Sequence, residues 1–184
     1  MFDNLREDTR RFRRFTGYST LRLIVFDQGY WAMICYRFGR HLVDHRLPPG
    51  LHQFVQLFYQ LWSKHIQIIT GISISPTVRI GPGFYIGHFG QIFLGADTVI
   101  GRHCSISHGV TLGFAWQDGR WGVPTVGDRV YIATGAKVIG PIHLADGTVV
   151  GANAVVTRST EPNAVVAGIP ARVLSYKGSA RYID

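Results

Sequence analysis

Residues 74–112 read ISPTVRIGPGFYIGHFGQIFLGADTVIGRHCSISHGVTL, and within them an aliphatic side chain returns every six residues. Ile74, Ile80, Ile86 and Ile92 make one run, and Leu94, Ile100, Ile106 and Leu112 make a second, displaced by two residues. After a gap, Val126, Ile132, Val138, Leu144, Val150 and Val156 make a third. Four residues beyond these aliphatics stand small or β-branched side chains such as Thr98, Cys104, Val110, Val130, Ala136, Ile142, Thr148 and Ala154. Glycine or alanine commonly follows the aliphatic, as at Gly81, Gly95, Gly101, Gly127 and Gly151. A period of six suits neither a helix nor one long strand. It suits a solenoid of short strands and tight turns, three strands to a coil, with the aliphatics stacked inside.

At 184 residues the chain has room for one domain with an appendage, and enough core to fold without disulfides. Its two cysteines, Cys35 and Cys104, make no disulfide framework, and Cys104 falls on an inward repeat position. A reducing, cytoplasmic setting is therefore expected. The charged N-terminus shows no signal peptide. Asp27, Arg37, Lys64 and His65 interrupt the apolar stretches before residue 70, so none reads as a membrane span. Part of the formal charge of +8 is gathered in Arg6, Arg10, Arg11, Arg13 and Arg14. Two readings stay open for this cluster. One is a basic face making peripheral contact with anionic lipid at the inner side of a membrane. The other is a solvated first helix that also complements an anionic cofactor. No nucleic-acid motif accompanies the charge, so nucleic acid is not an expected partner.

The chain divides near residue 70. Before it, a segment over roughly Leu21 to Leu42 predicts one helix. A second follows the Pro48-Pro49-Gly50 break, where Leu51, Phe54, Val55, Phe58, Leu61 and Trp62 recur at helical spacing. These aromatic-rich helices need a surface to cover them, either the first coil of the solenoid or a neighbouring subunit. The expected organisation is α+β: a helical N-terminal cap over 1–70, a parallel β-helix of hexapeptide repeats over 71–172, and a C-terminal tail over 173–184.

The repeats resemble the left-handed parallel β-helix acyltransferases, in particular the serine acetyltransferase branch. The resemblance lies in Ile80-Gly-Pro-Gly-Phe-Tyr-Ile-Gly-His88, Gly109-Val-Thr-Leu-Gly113, Ala133-Thr-Gly-Ala-Lys137 and Gly168-Ile-Pro-Ala-Arg172. It implies a left-handed coil, acetyl-CoA as co-substrate, and a homotrimer or dimer of trimers with sites between subunits. It also implies that His88 is the catalytic base, just before the small-residue bulge at Phe89-Gly90. An alcohol is a poor nucleophile until a base takes its proton, and neutral imidazole suits that task near pH 7. A coil of eighteen residues, lengthened by the two-residue slip, stacks His88 over His108, about 4.8 Å away along the ladder. His108 is thus a second catalytic candidate.

From the same resemblance, Thr134, Ala152, Thr157, Arg158 and Arg172 fall at acetyl-CoA contacts, the two arginines suited to the phosphates. Backbone around Gly113 is the candidate for holding the oxyanion. The twelve residues from Phe114 to Thr125 interrupt the repeat as a loop, whose Trp116 and Trp121 are placed to cover an acceptor. No metal ligand is assigned, and no covalent acetyl-enzyme is expected because Cys104 points inward.

The departures bear on the acceptor. Serine acetyltransferases carry acids where this chain has Ser73 and Gly87, and a histidine where it has Val123. A site without them leaves the charges of a zwitterion unpaired. The expected acceptor is thus a sugar of a surface polysaccharide, with serine as the alternative. Two other classes remain: a carbonic-anhydrase-like metal site built on His103 and His108, and a non-catalytic solenoid scaffold.

Overall fold

The computed structural model describes residues 2–45, 47–117 and 119–183. Four helices come first: α1 (Phe2–Thr16), α2 (Thr20–Phe26), α3 (Gln28–Asp44) and α4 (Pro49–Thr70). Where the apolar spacing predicts one helix over Leu21 to Leu42, the chain forms two. Asp27 leaves the helical region (φ −104°, ψ 106°), closes α2 through its N–H to Leu23 O, and caps α3 by accepting the N–H of Tyr30 at 2.8 Å. α4 starts with proline in its first turn and ends at Gly71, which takes the left-handed φ of 64°.

The solenoid follows directly. β1 (Ile72–Ile74), β2 (Arg79–Ile80) and β3 (Tyr85–Ile86) make the first coil, and β4 (Ile92–Leu94), β5 (Val99–Ile100) and β6 (Ser105–Ile106) the second. β7 (Thr111–Gly113) opens the third coil. An antiparallel hairpin, β8 (Ala115–Gln117) and β9 (Arg120–Gly122), interrupts it before β10 (Thr125–Val126) and β11 (Tyr131–Ile132) complete the turn. The fourth coil is β12 (Lys137–Ile139), β13 (His143–Leu144) and β14 (Val149–Val150). β15 (Val155–Val156) and β16 (Val165–Gly168) frame the last, and β17 (Ala171–Ser175) folds back antiparallel on β16 before α5 (Ala180–Ile183). The expected C-terminal tail therefore continues as strand and helix, with Ile183 buried.

Three parallel faces result: β1-β4-β7-β12-β15, β2-β5-β10-β13 and β3-β6-β11-β14-β16. On the first, Ile74, Leu94, Leu112, Val138 and Val156 stack in register. On the third, Ile86, Ile106, Ile132, Val150 and Val166 do the same. All ten are buried, and each contributes roughly 2 kcal/mol by leaving water. The small residues four positions on are buried as well, filling the corners. The glycines after the aliphatics answer to space: a Cβ at Gly101 would stand 2.6 Å from the carbonyl of Gly127 in the next coil.

α1, α2 and α3 cover the first coil and share its core, which α4 joins only through Ile66. The expected covering of α4 is therefore incomplete: Leu51, Phe54, Phe58 and Leu61 stay exposed, while Val55 and Trp62 pack in part against Cys35, Leu42 and Tyr59. Tyr36 donates its hydroxyl to Val78 O at 2.9 Å and accepts the N–H of Ile80 at 3.0 Å. Arg37 donates to Ile80 O and Gly81 O and pairs with Asp8, both partners being buried. Asp8 also accepts the N–H of Phe84 at 2.9 Å. Burial pushes the Asp8 carboxyl up, while the Arg37 guanidinium pulls it down. The basic cluster is not one solvated face. Arg11 is buried and donates to Gly83 O, Cys104 O, Ser105 Oγ and Ile183 O, tying both chain ends to the coils. Arg6, Arg10, Arg13 and Arg14 stay exposed, with Arg10 paired to Glu7. No helix among the described residues is long and apolar enough to cross a membrane.

Candidate active site

The corner between the third face and the first carries the candidate chemistry. Ile86 pairs with Ile106, Ile106 with Ile132 and Ile132 with Val150, so the residues two further on form a column: His88, His108, Thr134 and Ala152. The extra residues in the segment from Gly87 to Gln91 lengthen the first coil, which is why Ile86 meets Ile106 although Leu94 meets Leu112. The two imidazoles stand edge to face, 5.8 Å between centroids. His108 O accepts the N–H of Gly135, and Thr134 O that of Asn153, both at corner residues with positive φ. Such a φ suits glycine and asparagine far better than branched side chains.

His88 opens onto a cleft of about 650 Å³ between the helical layer and the solenoid. Phe15, Tyr18, Phe26, Tyr85, Phe89 and Tyr182 give it an aromatic wall, and Asp27, Gln28 and Ser107 its polar groups. Phe15 stacks on Tyr85 at 4.6 Å, and Tyr182 on Tyr131 at 4.6 Å. Burial raises the Tyr85 hydroxyl's pKa and the nearby Asp27 charge raises it further, with Arg11 opposing. Gly87 also lines the cleft, and a Cβ there would meet nothing closer than 3.7 Å, so an acidic side chain is absent but not excluded by space.

The other assigned residues lie elsewhere on the chain. Ile139 pairs with Gly113 where β12 meets β7, and Thr157 and Arg158 follow β15 at the same end of the first face. This is the opposite edge of that face from His88. The interruption after Gly113 is a hairpin, not an irregular loop; Asp118 lies outside the described residues. Trp116 faces Trp121 across it, with centroids 5.9 Å apart. Gln117 Nε2 donates to Thr157 O at 3.2 Å, holding the hairpin against the later coils. Both tryptophans are well exposed and neither lines the His88 cleft, so within one chain they do not cover an acceptor there. Ser73 sits half-buried in β1 beside Phe93. Arg172 lies exposed in β17 opposite Ala167, donating to Ala171 O.

His103 and His108 do not meet, since β6 separates the turns that carry them. Among the described residues no group of three His, Cys, Asp or Glu side chains is placed to hold a metal ion. Cys104 points inward as expected; burial pushes its thiol up to about 12, and Sγ lies 3.1 Å from Gly127 O. The sequence treats Asp27 only as a break in an apolar stretch, and Tyr18 and Tyr182 not at all. Nothing in the repeat marks them, because the helical layer and the C-terminal helix bring them to the cleft.

A parallel three-faced solenoid of hexapeptide coils, with a histidine at a bulged corner above an open cleft, defines the class of hexapeptide acyltransferase folds. The chain belongs to the serine acetyltransferase family. It is 34% identical over 166 residues to the serine acetyltransferase of Helicobacter pylori, covering 86% of this chain and 96% of that one. It is 40% identical over 145 residues to that of Mycobacterium tuberculosis, covering 78% of this chain and 63% of the relative. The chain thus spans less than two thirds of some relatives' length. Among solved structures, serine acetyltransferase from Vibrio cholerae matches with a TM-score of 0.81 at 25% identity, over 99% of this chain and 67% of that one. The enzyme from Brucella abortus, solved in complex with coenzyme A, matches with a TM-score of 0.81 at 27% identity, over 96% and 68%. No protein-family model matches the chain.

Proposed function

We propose that the protein is an O-acetyltransferase that moves the acetyl group of acetyl-CoA to the hydroxyl of serine. The observation that carries this reading is the His88–His108 pair at the mouth of the aromatic cleft, in a column with Thr134 and Ala152. His88 takes the hydroxyl proton as the oxygen attacks the thioester carbonyl. The tetrahedral intermediate collapses, the C–S bond breaks, and the leaving thiolate takes the proton back from the imidazolium. His108, stacked below, orients His88.

The serine acetyltransferase names of the relatives favour serine over the sugar that the missing acids suggest, and the coenzyme A complex of the Brucella abortus enzyme favours acetyl-CoA as donor. His88 and the edge bearing Gly113, Thr157 and Arg158 lie at opposite margins of one face. A homotrimer, in which one subunit's His88 edge meets the next subunit's hairpin edge, would bring them into one groove. Arg158 and Arg172 then serve the CoA phosphates, and Trp116 and Trp121 the neighbour's cleft.

A sugar acceptor remains the second reading, favoured by a cleft roomier than serine needs and by Ser73, Gly87 and Val123 in place of charged groups. Thiol release from acetyl-CoA with L-serine, and separately with neutral sugars, decides the matter. Serine-dependent release is expected, and release with sugars alone would replace serine.

A further inference from the structure

The wall of the cleft facing His88 is made by the break between α2 and α3. Among the described residues lining that cleft, Asp27 is the one carboxylate, and none is a lysine or arginine. Two local constraints place it. Its carboxylate caps α3 by accepting the N–H of Tyr30 at 2.8 Å, which holds the side chain at the helix end. Gly29, two residues on, lets α3 touch β3: a Cβ there would stand 3.1 Å from Ile86 O and 3.2 Å from Ile86 Cβ. Ile86 is two residues before His88, so this contact sets the carboxylate and the imidazole beside one cavity.

We propose that Asp27 recognises the acceptor, pairing with the ammonium of a β-hydroxy amine whose hydroxyl faces His88. The assignment rests on the serine reading above and deepens it. Half-burial raises the Asp27 carboxyl's proton affinity, while the N–H groups of Tyr30 and Gly29 and a charge on His88 lower it. A general base must be neutral to accept a proton, so His88 does not supply a counter-charge when turnover begins. A substrate ammonium does, and it relieves the partly desolvated carboxylate. In serine the ammonium and the hydroxyl sit on adjacent carbons, so an ammonium held at Asp27 carries the hydroxyl toward the base. A neutral sugar offers no such charge and leaves the carboxylate uncompensated. Positions 73 and 87 on the solenoid are serine and glycine; the acid comes instead from the helical layer.

The test compares the wild-type chain with Asp27→Asn in thiol release from acetyl-CoA. The two acceptors are L-serine and 3-hydroxypropionate, which is serine without its amino group. Asparagine caps helices as well as aspartate does, so α3 is kept, and the ratio of kcat/KM for the two acceptors is insensitive to the fraction folded. The expected result is a wild-type preference for serine that falls roughly tenfold to a hundredfold in Asp27→Asn, chiefly through KM for serine. An unchanged ratio in Asp27→Asn, with serine still acetylated by both forms, would overturn the Asp27 assignment and leave the serine reading standing. Wild-type turnover of neutral sugars without turnover of serine would overturn the serine reading and the assignment together.

Discussion

At the scale of single residues, His88 and the two cysteines differ in exposure, and their expected behaviour follows from it. His88 is exposed at the cleft mouth, so His88→Ala should fold normally and lose about 10²–10⁴ in kcat. Steady-state thiol release alongside a melting curve checks both halves; activity within tenfold of wild type would remove His88 as the base. Cys35 and Cys104 are buried, and burial pushes their thiols up to about 11 and about 12. The thiolate is the reactive form, and at pH 8 neither populates it. Titration with an aromatic disulfide reagent should therefore find no reactive thiol in the native chain and both in denaturant. Inward Cys104 and the alignment of His88 with His108 are legible because a repeat numbers its own positions, whereas the role of His88 as base comes from the family resemblance. Asp27 is not legible, since its meaning depends on which strand its helix touches.

Among the elements, the junction of helices and solenoid holds through few, deeply placed polar groups. Asp8 links α1 to Arg37 of α3 and to the backbone of the first coil. Removing one member of a buried pair strands the other, so Asp8→Ala should destabilise the fold by about 3–5 kcal/mol. Chemical denaturation would measure this. The hairpin β8–β9 differs in kind: its tryptophans are largely exposed, and it rests on the later coils through Gln117. Trp116→Ala and Trp121→Ala should each leave the melting temperature within a few degrees and lower kcat/KM for acetyl transfer. The sequence marks the hairpin only as missing repeat. Strand pairing inside a short insertion depends on turn geometry and on the surface beneath it, neither of which has a period.

Over the whole molecule, the candidate groups divide between two edges of one face. If each site forms between subunits, a chain lacking His88 and a chain lacking the hairpin tryptophans should complement each other. Mixing His88→Ala with a Trp116→Ala/Trp121→Ala chain, unfolding and refolding them together, should recover activity above either parent. Recovery no greater than the mean of the parents would place the complete site within one chain.

The six-residue pattern alone sets the solenoid, its coil length, the inward ladder and the column that holds His88 beside His108. A six-residue period, once wound, converts position in the chain directly into position in space. What faces that column depends on long-range packing. The break at Asp27, the contact of Gly29 with Ile86, the burial of Arg11 and the return of Tyr182 to the cleft join segments far apart in the chain. No periodicity links those segments. They meet because Phe12, Leu23, Tyr30, Met33 and Tyr36 of the first three helices pack into the core of the first coil, and that packing chooses which polar groups face the base.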